Sequence, residues 1–116
     1  MFNIISSSRY KIDRKRLKKV IGDIFLTNNL SSQYSLNLVF VGRNKMKQLS
    51  QKYKGEKETL PVLSFIYNEK TGDNEILLGE VVICFPLAVL LSAERNKRVD
   101  EVINELVKHG IENLIK

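Results

Sequence analysis

An apolar stripe near the C-terminal end constrains this chain more than any other feature. Val99, Val102, Ile103, Leu106, Gly110 and Leu114 recur at helical spacing, which predicts an amphipathic helix running to the end of the sequence. His109 and Asn113 lie four residues apart on it, so they project side by side from neighbouring turns. Gly110 interrupts the helix interior at a cost of about 1 kcal/mol relative to Ala, so a close packing contact is expected there. Two histidines at this spacing are a common way to hold one metal ion, and here the second position is Asn113.

Upstream of that helix the hydrophobic pattern alternates between strand and helix periods. Phe2 to Ser6 reads as a short strand, and Asp13 as the N-cap of a helix over 14–28 with Leu17, Val20, Ile21, Ile24 and Phe25 buried. Tyr34 to Val41 alternates on both sides, which predicts a strand with both faces covered. A second helix is expected over Arg43–Tyr53, with Met46, Leu49 and Tyr53 inward. Pro61 to Tyr67 reads as a strand, Asn68 to Glu75 as a polar turn around Thr71-Gly-Asp, and Ile76 to Cys84 as a fourth strand. Gly79 marks a bulge or a close approach within that last strand. Pro86 suits the first turn of a third helix reaching about Asn96, whose run Leu87 to Leu91 is expected to be deeply packed. The order β-α-β-α-β-β-α-α argues for one α+β domain over 1–116, a four-stranded mixed sheet covered by helices.

Composition decides between function classes. The longest apolar run, Val81 to Leu91, is 11 residues and contains Pro86, too short to cross a bilayer. No basic n-region leads into an apolar stretch, and the single Cys84 allows no disulfide framework, so a cytoplasmic protein without membrane partners is expected. Residues 1–55 carry twelve Lys/Arg against Asp13 and Asp23, a net +10, whereas residues 56–116 carry seven against eleven acids, a net −4. A basic half points to a polyanion partner, with RNA or the ribosome foremost. Arg14, Lys15, Lys18 and Lys19 on the first helix form one candidate RNA-facing cluster, and a solvated helix face accounts for it equally well. Lys52 and Lys54 beside Tyr53 form a second, with a solvated turn as the alternative. Cys84 reads as a core residue and Ser64 as part of the strand structure, since no base is visible near it.

Four short segments in order carry a resemblance. Leu49 to Tyr53-Lys-Gly55 is similar to Leu-Asn-x-x-Tyr-Arg-Gly, and Val62-Leu-Ser-Phe65 to Asp-Val-Leu-Ser-Phe-Pro. Leu77-Leu-Gly-Glu-Val-Val-Ile-Cys84 is similar to Leu-Leu-Gly-Asp-Ile-Val-Ile, and the segment from Glu105 to His109-Gly110 resembles the start of a His-Gly-x-x-His zinc motif. Together they resemble the YbeY family of bacterial rRNA maturation factors, with a metalloprotease-like architecture. The resemblance implies zinc-dependent endoribonuclease activity on single-stranded rRNA and a small ribosomal subunit or associated protein as partner. It also implies that His109 is a retained zinc ligand, that Asn113 stands at a lost-ligand position, and that Lys54 takes the place of a phosphate-contacting Arg.

The departures cluster on the implied cleft. A catalytic zinc takes three protein ligands and a water, and Asn offers a neutral oxygen where imidazole is preferred. The turn glycine of the motif is Lys116, and no third histidine follows in this sequence. Lys54 keeps the charge of the Arg without its bidentate fork, and Leu60-Pro61 replaces polar residues at the cleft mouth. Zinc is therefore expected to be absent or weakly held, and two functions stay open. One is a metal-dependent endoribonuclease whose remaining ligands come from elsewhere. The other is a non-catalytic RNA- or ribosome-binding relative that uses its basic N-terminal half.

Overall fold

The computed structural model of the protein describes residues 2–72 and 74–116. Its frame is a four-stranded sheet of β1 (Phe2–Ile5), β2 (Tyr34–Val41), β3 (Val62–Gly72) and β4 (Glu75–Cys84), in the order β1-β2-β4-β3. β1, β2 and β4 run parallel, and β3 returns antiparallel to β4. The α+β fold with a mixed sheet expected from the sequence is therefore present. The helices are α1 (Arg14–Thr27), α2 (Arg43–Lys54), α3 (Phe85–Arg95) and α4 (Val99–Leu114).

Each helix begins and ends where local chemistry puts it. The Asp13 carboxylate accepts from the Arg16 amide and caps α1. Gly55 adopts the left-handed conformation that closes α2, and Asn96 does the same for α3. Asp100 and Glu101 place negative charge in the first turn of α4.

The first face of the sheet carries the main core. Leu36, Leu38, Val81 and Ile83 point at α1 and α4, which contribute Ile21, Val102, Val107 and Ile111, all fully buried or nearly so. The stripe read from the sequence was incomplete, because Val107 and Ile111 widen it to seven buried positions in α4. The second face carries a smaller cluster of Met46, Leu63, Val82 and Cys84 beneath α2. α2 shields only part of that face, and the Asn3–Asn37 side-chain hydrogen bond at the other end of it stays exposed.

Four expectations need correction. The strand β3 does not stop at Tyr67 but pairs with β4 as far as Gly72, with Glu69 opposite Leu77 and Lys70 opposite Ile76. Residues 66–72 are exposed, so their ladder has no apolar alternation to announce it. The expected turn over Asn68–Glu75 shrinks to its last residues; Asp73 of that turn lies outside the described residues, and Asn74 has a left-handed φ. α3 is not deeply packed either. Only Ala88 and Ser92 are buried, while Val89 and Leu90 are 41% and 43% exposed, because five consecutive residues on a helix cannot share one face. Tyr53, expected inward, is 53% exposed, with its ring edge-on to Phe65 at 5.0 Å between centroids.

Candidate functional site

The site grows from two glycines that let α4 approach the sheet. A Cβ on Gly110 would come within 2.5 Å of Val81 Cγ1, and one on Gly79 would come within 2.3 Å of the Phe65 carbonyl oxygen and 2.8 Å of Leu114 Cδ2. Gly79 also borders the point where Leu78 bulges out of the β2–β4 register. At this close crossing the Ser64 hydroxyl donates to the Gly110 carbonyl at 2.8 Å, fastening β3 to α4. Replacing Ser64 by Ala is expected to cost about 1 kcal/mol in urea-induced unfolding, because one partly buried hydrogen bond is lost without a clash. An unchanged midpoint would show that the glycine contacts alone hold the crossing.

With α4 held there, His109 and Asn113 overhang the β3 edge and line a cleft of about 790 Å³. Leu60, Pro61 and Ile66 line the same cleft, and the Leu60 amide donates to Ser50 Oγ, which ties the 55–61 connection down. Lys54 reaches in from the last turn of α2, and Arg95 from the last turn of α3. The site residues Lys54, His109 and Asn113 named from the sequence are thus brought to one cleft.

Sequence reasoning missed Arg95 and Glu105. Glu105 stands four residues before His109, so helical spacing could have placed it on the same side. Arg95 belongs to another helix, and no local pattern ties it to the site. The Glu105 carboxylate is paired with Lys97 and with Arg95 Nη1, the latter at 3.2 Å. The Lys97 hydrogen bond, followed by the attraction of Lys97 and Arg95, holds Glu105 below the ordinary glutamate range. Because the folded value is depressed, the pairing strengthens folding above the unfolded glutamate pKa and is lost as pH falls through the folded one. The NMR titration of the Glu105 side chain should therefore show a lowered midpoint that returns toward normal in Lys97→Ala.

The remaining candidates lie elsewhere. Arg14 donates from Nη1 to the Ile4 carbonyl and from Nη2 to Ser6 Oγ at 2.8 Å, so its guanidinium clasps β1 to α1. Lys15, Lys18 and Lys19 are exposed on the same helix, next to the β1 edge, whereas the cleft runs along β3 at the other edge. Lys52 stands over the Tyr53 ring at 5.2 Å. Cys84 is buried under α2, where burial pushes its thiol pKa up. Among the described residues, no group of three His, Cys, Asp or Glu side chains could share a metal ion.

The comparisons with known proteins converge. The family model described as "Endoribonuclease YbeY" matches residues 3–115. The chain is 29% identical over 110 residues to an endoribonuclease YbeY of Thermodesulfovibrio yellowstonii, covering 86% of this chain and 69% of that protein. It is 28% identical over 128 residues to one of Dehalococcoides mccartyi, covering 97% and 74%. The solution structure of a Thermotoga maritima protein superposes with a TM-score of 0.65 at 21% identity, covering all of this chain and 73% of that one, which shows a shared fold.

Proposed function

This chain belongs to the endoribonuclease YbeY family, and from that membership we propose that it serves ribosomal RNA maturation by holding single-stranded RNA in the cleft between α4 and β3. Lys54 and Arg95 bind phosphate, while His109 and Asn113 hydrogen-bond to the sugar or base. What supports this reading is the donor set at the cleft: two cations, one imidazole, one amide and a carboxylate already claimed by Arg95 and Lys97.

That set suits a phosphodiester better than a divalent cation. A catalytic zinc takes three protein ligands, commonly imidazoles and carboxylates, and neighbouring ammonium and guanidinium groups repel it. The zinc that the family resemblance implies does not fit these residues, so no hydrolytic step is assigned to them. The partner is rRNA or the small ribosomal subunit, in a bacterial cytoplasmic setting, and no described helix is long and apolar enough to cross a membrane.

The test combines metal and RNA measurements on protein purified without an affinity tag. Elemental analysis should find far less than one zinc per chain, with only weak zinc uptake on titration. RNA binding should persist in EDTA and fall with salt at a log–log slope of about −0.7 per phosphate contact, as for single strands. One tightly bound zinc per chain that disappears in His109→Ala would overturn this reading in favour of the metal-dependent endoribonuclease.

A further inference from the structure

We propose that the uncovered part of the second sheet face is a base-stacking site for the same RNA, with Tyr53 and Tyr67 as its aromatic surfaces and Glu80 as an acceptor that selects guanine. The inference rests on the RNA reading above and adds where a base goes once the strand leaves the cleft.

The site exists because α2 covers only one end of the face. Beyond it lies a groove of about 360 Å³, with Val82 and Phe65 in its floor, Tyr53 and Tyr67 beside them, and Lys45 and Glu80 at its polar positions. Phe65 and Glu80 are direct cross-strand partners, so their side chains stand on the same face. Tyr53 leans edge-on against Phe65, which fixes one wall, and Tyr67 is 41% exposed. Large aromatic rings left open on a sheet are unusual in a chain that buries the rest of its core.

Glu80 decides what the groove would take. It is half-buried among apolar and aromatic side chains, and none of the ion pairs or side-chain hydrogen bonds found among the described residues engages it. A carboxylate in such a place is stabilised by a donor arriving with the ligand. The Tyr67 phenol, neutral near pH 7 like any tyrosine, is raised further by burial and then by the charges of Glu80 and Glu69. A guanine answers both the carboxylate and the open rings. Its faces stack on tyrosine, and its N1–H and exocyclic amino group lie side by side on one edge, matched to the two oxygens of a carboxylate.

Charge and continuity favour RNA over an apolar peptide. Lys45 lies in the groove, and Lys52 stands beside the Tyr53 ring, where both can meet backbone phosphates. A peptide laid on the same aromatics would leave Glu80 unanswered unless it also brought a donor. Tyr53 and Lys54 are consecutive residues of the last turn of α2, one lining the groove and the other the cleft. A single strand rounding the β3 edge therefore passes from one site directly into the other.

The test measures anisotropy of labelled short RNAs on the full chain at low salt, comparing an all-uridine oligomer with one containing guanines. The guanine oligomer should bind about tenfold tighter, and Glu80→Gln should erase that preference without weakening the uridine oligomer. Tyr67→Leu should weaken both oligomers about tenfold. Circular dichroism checks that both surface variants fold, and either one alone decides the stacking or the selection. A loss in Tyr67→Leu without any guanine preference would keep the platform and overturn the selection. RNA binding that neither variant alters, but that Lys54→Ala weakens, would overturn the groove and leave the cleft standing. No binding by the unaltered chain would remove both.

Discussion

Replacing Gly79 by alanine is expected to destabilise the fold by about 3 kcal/mol, the upper part of the range for forcing a methyl group into a packed interior. The obstacle is backbone as well as side chain. The new Cβ would lie 2.3 Å from the Phe65 carbonyl oxygen, and that carbonyl belongs to the strand paired with Gly79's own. Relief requires β3 to move off β4, at the expense of ladder hydrogen bonds, and the Leu114 side chain to shift as well. Gly110→Ala meets Val81 Cγ1 at 2.5 Å, yet it gains about 1 kcal/mol of helix propensity, so its net cost should be smaller. Gly72→Ala has nothing within 4 Å and should stay within about 0.5 kcal/mol of the parent. Urea unfolding orders the three by midpoint at constant slope. A Gly79→Ala midpoint equal to that of Gly72→Ala would mean that the β3–α4 crossing yields without cost.

The second large effect concerns RNA. Reversing both cleft cations, with Lys54→Glu and Arg95→Glu together, should lower single-stranded RNA affinity well over tenfold at low salt. It should also flatten the salt slope by about 1.4, the contribution of two phosphate contacts on a single strand. Part of the loss comes from Glu105, which would be released from Arg95 and left facing the RNA with one partner fewer. The triple variant Lys15→Ala, Lys18→Ala, Lys19→Ala is the counter-experiment. These lysines sit on α1 beside the β1 edge, away from the cleft, and their removal should cost little. If the triple variant carries the loss and the cleft reversal does not, the RNA path runs along α1 and the cleft reading fails.

Most of the fold was legible because hydrophobic period reports burial directly. The stripes of α1 and α4, the alternation of β2 and the signal at Gly79 survive in the structure, with Val20 the exception on α1, only partly buried and outside the core cluster. The reading failed where burial and period part company. The outer half of β3 is solvated, so its pairing with β4 left no apolar trace. The run Leu87 to Leu91 looked uniformly buried because composition cannot say which side of a helix meets the sheet.

The site divided in the same way. His109, Asn113 and Lys54 could be named because each matches a position in a local motif. Arg95 could not, because it reaches the cleft only through the packing of α3 against α4, and no spacing in the chain encodes that contact. By itself the sequence determined the order of elements, the two glycines that permit the crossing and the basic N-terminal half. Only the tertiary structure decided which of those charges share a cleft and that Glu105 is already paired. It also left Glu80 with the aromatic rings on an open face. Periodicity is a property of neighbours along a chain, whereas electrostatic company is set by which elements the core brings together.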